Sequence, residues 1–277
     1  MAKGRKRWLA YLALAGAVAL VASVGVDLES EREINTTRMV TETSTVDELA
    51  GELRILQISD IHVRDNPEQI AHVVDMARES NPHIIVIAGD TLNTWNESLD
   101  PLVTLFTGLA QIGVPMYAVL GNHDHWSKDL PQLRALYARY GVELIDNEHR
   151  VLTGDYGTFT LVGAGDAFTS HAHLSKALEN APAEGFRFLL THAPEIVDQL
   201  EQADIDYAVC GHTHGGQIAL PLIGALYAPG QGLFPKYSRG FYQVGKARLY
   251  VDSGLGYTEP RIRFLVQSQI VLHVLHP

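Results

Sequence analysis

Leu53 to His62 reads LRILQISDIH: an apolar run that stops at Ser59, then a carboxylate and an imidazole two residues apart. The same form recurs four times. His83 to Ala88 leads into Gly89-Asp90, Met116 to Leu120 into Gly121-Asn122-His123-Asp124, Phe186 to Thr191 into His192, and Tyr207 to Cys210 into Gly211-His212-Thr213-His214. Short apolar runs bounded by polar or Gly residues read as strands, and Phe159 to Ala164 is one more. Between them lie helical patterns at Pro67 to Ser80, Pro101 to Ile112, Leu130 to Tyr140, His171 to Asn180 and Glu195 to Ala203, several with Pro near the first turn. Strand and helix therefore alternate, as in a layered α/β domain.

Outward from this body, INTTRMVTETST from Ile34 is rich in β-branched residues and reads as an edge strand entering the domain. After Gly215 the chain turns Gly- and Pro-punctuated. Strand-like runs then follow at Ala247 to Val251 and Arg263 to His273, which predicts a second sheet packed on the first. No internal repeat is visible.

Five polar clusters at strand ends carry the chemistry. In open α/β sheets ligand sites gather outside the carboxyl ends of strands, so residues distant in sequence converge on one rim. Asp60 and His62 alternate along an extended segment and share a side, as do His212 and His214. Mixed oxygen and imidazole donors suit manganese, iron or zinc better than calcium. The single cysteine, Cys210, leaves any metal site to His, Asp, Glu and Asn.

In this order, Asp-x-His, Gly-Asp, Gly-Asn-His-Asp, a later His and Gly-His-x-His, the sequence resembles the calcineurin-like metallophosphoesterase superfamily over about residues 53 to 256. GHTHGGQ, residues 211–217, is similar to its membrane-associated bacterial branch. The resemblance implies a four-layer α-β-β-α sandwich with two mixed β-sheets and two divalent metal ions. One ion would take Asp60, His62 and His214, the other Asn122, His192 and His212, with Asp90 bridging. The pair would activate a shared hydroxide for in-line attack on a phosphodiester, phosphomonoester or pyrophosphate. His123 would be the general acid, and Asp124 would orient its ring or cap a helix. Alternatives are a UDP-2,3-diacylglucosamine-type pyrophosphatase and a catalytically silent binding module of the same fold.

Relatives often carry an Arg-Gly pair before the late Gly-rich turn, where this chain has Val251-Asp252-Ser253-Gly254-Leu255-Gly256. Arg239 or Arg261 is the candidate replacement. Trp95 and Trp126 follow metal motifs and either wall the cleft or pack in the core. The apolar segment Ile218 to Tyr227 either covers the core or faces lipid, and the remaining histidines read mainly as surface or packing residues.

Residues 8–26, free of charge and apolar, would span roughly 28 Å as a helix, close to a bilayer core. The basic residues of 1–7 precede this run and an acidic connector, 27–33, follows it, so the positive-inside rule puts the 34–277 domain on the extracytoplasmic side of the inner membrane. A cleaved signal peptide is the alternative. The net charge of −11 becomes −15 without the four cations of residues 1–7, which argues against nucleic-acid binding. The expected partners are a phosphorylated small-molecule or lipid-linked substrate and, through the N-terminal helix, a lipid bilayer.

Overall fold

The computed structural model describes residues 24–63, 65–259 and 261–277. Twelve strands form two six-stranded sheets. The first contains β1 (Arg38–Thr45), β2 (Leu53–Ile58), β3 (Ile84–Ala88), β4 (Met116–Val119), β5 (Val142–Leu144) and β12 (Gln269–His276), in the order β1-β12-β2-β3-β4-β5. The second contains β6 (Glu148–Gly154), β7 (Gly157–Gly163), β8 (Arg187–Leu190), β9 (Tyr207–Cys210), β10 (Gly240–Val244) and β11 (Ala247–Val251), in the order β10-β11-β9-β8-β7-β6. Both sheets are mixed. Strands β2 to β5 run parallel, as do β7, β8, β9 and β11, while β12 against β2, β6 against β7 and β10 against β11 are antiparallel.

Burial explains why these strands read as unbroken apolar runs. Every residue of β3, β4, β8 and β9 is buried, and successive side chains enter different cores. Ile84, Val86, Phe188, Leu190, Tyr207 and Val209 meet between the sheets. Ile85 and Ile87 face outward onto α1 (Pro67–Glu79), α2 (Asp100–Ala110) and α4 (Leu130–Tyr140), where Val73, Leu105, Phe106 and Leu133 complete the packing. Leu189, Ala208 and Cys210 face the opposite way onto Leu174 and Ala177 of α5 (Leu174–Ala177) and Leu200 of α6 (Val197–Leu200). The result is the α-β-β-α sandwich. A five-residue helix, α3 (Asn122–Trp126), caps the end of β4.

Several elements depart from the sequence reading. The strand expected over 263–273 begins only at Gln269, because Arg263 is buried in a loop, and the helix expected over 171–180 shrinks to α5 with His173 at its N-cap. Two short ribbons, Ala219–Leu220 with Gly224–Ala225 and Tyr227–Ala228 with Gly232–Leu233, follow the GHTHGGQ motif. They leave Leu222, Ile223, Leu233 and Phe234 exposed.

The expected single-pass membrane localisation is corrected: among the described residues, no helix is long and apolar enough to cross a membrane. Of the 8–26 run, residues 8–23 lie outside the described residues. Residues 24–35 are helical, through the stretch read as an acidic connector, and this helix docks on the domain. Ile34 is buried, Arg261 pairs with Glu31 at 2.8 Å, and the Arg263 amide donates to Ser30 Oγ at 3.0 Å.

Candidate metal centre

The parallel strands bring their carboxyl ends to one rim. Asp60 follows β2, Asp90 follows β3, Asn122 follows β4, His192 follows β8 and His212 follows β9. All are buried, as are His62 and His214. Asp60, His62 and His214 form one group whose candidate ligand atoms lie within 4.8 Å of one another, and Asp90, His192 and His212 form a second. Asn122 Oδ1 joins the second group, 3.1 Å from His192 Nε2. Asp90 Oδ2 stands between the groups, 3.6 Å from His62 Nε2 and 3.4 Å from His192 Nε2.

Backbone conformation sets these directions. Asp60, His62, Asp90, His212 and His214 all have φ between 44° and 71°. The left-handed region costs a non-Gly residue on the order of 1 kcal/mol, and such strain collects at functional sites. Here it aims five donors from sharp strand-end turns. Two glycines make room for the carboxylates: a Cβ on Gly121 would collide with Asp90 Oδ1, and one on Gly211 with Asp60 Oδ2. The His212 amide donates to both Asp60 oxygens, at 2.9 and 3.1 Å, and the His123 amide donates to Asp90 Oδ1 at 2.8 Å.

The donors fit divalent cations. His62 Nε2 and His214 Nε2 approach to 3.2 Å, as do His192 Nε2 and His212 Nδ1. Imidazole nitrogens facing one another beside a carboxylate share either a proton or a cation, and His212 Nε2 is buried with no hydrogen-bond partner. Burial, with His192 beside it, lowers His212 to about 3. Burial and the neighbouring His62 and Arg263 likewise hold His214 well below the ordinary histidine value, so both rings are neutral and keep lone pairs for a metal.

The carboxylates show the complementary strain. Burial pushes Asp60 up to about 7. Burial opposes ionisation of Asp90 too, but the charge and hydrogen bond of His192 outweigh it and hold Asp90 well below the carboxylate range. In turn Asp90 overcomes the effect of burial on His192 and raises that ring. A bound cation would take over the charge balance that His192 supplies.

Around this cluster, His123 is half-buried, its ring 4.9 Å from that of His62 at 90°. Thr94 Oγ1 lies 3.0 Å from His123 Nδ1, a partner the sequence reading did not single out. Asp124, expected beside that ring, accepts from the Leu92 amide at 2.8 Å and the Gly121 amide at 2.9 Å, closing the first turn of α3. Trp126 stands 5.4 Å from His123, and Phe168 4.7 Å from His212, so the two rings wall one side. His125 stacks on His171 at 3.9 Å.

Both arginines considered as a replacement have partners within the fold. Arg261 is paired with Glu31, and Arg239 donates to Leu265 O at 3.1 Å. Arg263, which sequence reasoning missed, is buried beside the centre. It donates to Ser253 O at 2.8 Å and to Gly254 O at 3.0 Å, and lies 3.4 Å from His214 Nδ1. Asp252 lies buried behind Asp60, accepting from Ser59 Oγ at 2.6 Å and Gln269 Nε2 at 2.7 Å. Nothing in a single sequence separates such supporting groups from surface charge.

Comparison with known proteins places this geometry. Residues 53–216 match the family model described as "Calcineurin-like phosphoesterase". The chain is 27% identical over 252 residues to the uncharacterized metallophosphoesterase YkuE of Bacillus subtilis, covering 87% of this chain and 85% of the relative. It is 28% identical to the uncharacterized metallophosphoesterase YkoQ of the same organism, covering 86% and 91%. Phosphodiesterase YaeI of Escherichia coli is 28% identical over 213 residues, 75% of this chain and 76% of the relative.

Proposed function

We infer, for a chain that belongs to the calcineurin-like phosphoesterase family and so is a metal-dependent phosphoric ester hydrolase, that two metal ions act together on a phosphodiester. The position of Asp90 Oδ2 between His62 and His192 carries this reading, because one carboxylate then serves both donor groups. Asp60, His62 and His214 would hold one ion, Asn122, His192 and His212 the other, and Asp90 both. Manganese, iron or zinc suits the donor set. Bound there, a cation pair supplies Lewis acidity, lowering the pKa of water and neutralising phosphoryl charge. The preference for a diester is supported by the name of the relative YaeI.

The protein's own groups do the rest. His192 Nδ1 donates to Ala88 O at 2.8 Å, which leaves Nε2 as the lone-pair nitrogen facing Asn122 and Asp90. The ring of His123 stands at the edge of the cluster with Nδ1 at Thr94, so Nε2 is the atom that passes a proton to the departing oxygen. Burial of the donors keeps bulk water from competing for them.

The test is metal content measured beside hydrolysis of bis-p-nitrophenyl phosphate and p-nitrophenyl phosphate. Wild type should bind about two ions per chain and prefer the diester. Asp90→Asn should lose metal and turnover together, and His123→Ala should keep metal while losing roughly 10²- to 10⁴-fold in rate with leaving groups that need a proton. Full metal occupancy with no turnover of either ester would overturn the reading.

A further inference from the structure

A groove runs along α1 and α2. One half encloses about 540 Å³ and is bounded by Asn93, Trp95 and Thr104. The other half encloses about 250 Å³ over an apolar floor of Ile61, Val73, Leu102, Leu105 and Leu255. Val63, Asp65, Ile70 and Pro101 line both halves, so the two are continuous.

The groove's lining adjoins the centre along the chain. Val63 directly follows His62, and Asn93 and Trp95 flank Thr94, the partner of His123 Nδ1. Asn93 Nδ2 donates to Val63 O at 3.1 Å and ties the two banks together. A phosphorus atom held between His62 and His123 would thus have the groove lining beside it.

Charge selects what enters. The described acidic groups along the groove are Asp65, Glu97 and Asp100; of the cations, Lys128 Nζ stands 6.0 Å from the ring of Trp95 in one half, and Arg261 in the other is already paired with Glu31. With three carboxylates against one cation free of a carboxylate partner, a further phosphate on the substrate is disfavoured, whereas an uncharged apolar chain would bury its surface on the floor. An apolar cavity of about 150 Å³ holds benzene, so the 250 Å³ half has room for a ring or a medium alkyl chain.

We propose that this groove receives the second ester substituent of the substrate, which makes the preferred substrate a phosphodiester with one uncharged, apolar alkyl or aryl arm. The assignment rests on the phosphodiesterase reading above and gives the acceptable diesters a chemical class.

The experiment compares methyl p-nitrophenyl phosphate with n-octyl p-nitrophenyl phosphate, below the aggregation limit, in the metal-loaded full chain. In both, water adds at phosphorus, p-nitrophenolate leaves and an alkyl phosphate remains, so the leaving group is constant. Each buried methylene is worth about fourfold, and the octyl ester should exceed the methyl ester at least tenfold in kcat/KM. Ile70→Trp, at the junction of the halves, and Thr104→Trp, on the exposed bank, should each cut that ratio to within about threefold. The ratio is internal to each protein, and circular dichroism melting checks that each variant folds.

Calorimetric binding of n-octylphosphonate against methylphosphonate gives a readout without turnover, with the same tenfold and threefold expectations. A wild-type ratio near one, or a preference that survives both substitutions, overturns the proposal. If neither ester is hydrolysed but the phosphonates still separate tenfold and the variants erase the gap, the groove assignment stands and the phosphodiesterase reading fails.

Discussion

Gly121→Ala tests whether the placement of Asp90 organises the centre. Gly121 has φ −102° and ψ 179°, which alanine adopts without strain, so any effect comes from the new methyl group. That methyl would lie 2.5 Å from Asp90 N and 2.8 Å from Asp90 Cγ, where ordinary contact begins at 3.4 Å. Even if the Asp90 carboxylate swings away from its bond to the His123 amide, the contact with Asp90 N is backbone, so the Asp90 turn must yield by about 0.9 Å. Overpacking of this kind costs about 1–3 kcal/mol, which lowers Tm by roughly 2–12 °C at this size. The larger effect falls on function: a misplacement of about 1 Å costs on the order of 100-fold in rate, and disturbing a ligand's support weakens metal about 10- to 100-fold. The assay is manganese titration by calorimetry beside bis-p-nitrophenyl phosphate turnover, with Gly25→Ala as the control because nothing lies within 4 Å of its added carbon. Gly121→Ala with wild-type metal affinity and a rate within threefold would refute the claim that Asp90 must sit where it does.

Metal removal should destabilise the fold, since binding would offset five left-handed donors and a buried charge cluster: manganese at 100 times its Kd adds about 2.7 kcal/mol, raising Tm by roughly 5–10 °C, and a melting curve indifferent to chelator would contradict this. His273, buried between Tyr207 OH at 2.8 Å and Gln57 Oε1 at 2.9 Å, is lowered to about 3 by burial. It is neutral in the fold but takes a proton in the unfolded chain below pH 6.5, so stability falls by about 1.4 kcal/mol per pH unit as pH drops from 6.5 towards 3. His273→Gln should flatten that acid limb between pH 7 and 5, and parallel melting profiles would exclude the assignment. Thr94→Val should slow alkyl leaving groups about tenfold while leaving p-nitrophenolate release nearly unchanged, with Thr94→Ser restoring the rate. Equal losses on both kinds of leaving group would show that Thr94 acts on something other than proton delivery.

The strands that frame the centre were legible because both of their faces are buried. Their apolar composition records that burial, and β9 and β11 match the expected bounds. Of the edge strands only β1 was legible. Glu148–Gly154 is largely exposed and polar, and Val142–Leu144 has only three residues, so neither leaves an apolar run to read. The 24–35 helix escaped notice because Asp27 and Glu31 face solvent and only Ser30, Glu33 and Ile34 are buried.

Order and residue type along the sequence alone determined the alternation of strand and helix, the five strand-end clusters and a mixed oxygen–imidazole donor set, because local apolar runs and polar stops are properties of neighbours in the chain. Only the tertiary structure decided that Asp90 Oδ2 stands between two donor groups, that Thr94 rather than Asp124 meets His123 Nδ1, and that Arg263 is buried beside His214. Those contacts join residues 28 to 102 positions apart, and their geometry follows from the register of parallel strands and from turns held open by two glycines. No local pattern carries that information, because distance across a sheet is set by packing and not by spacing along the chain.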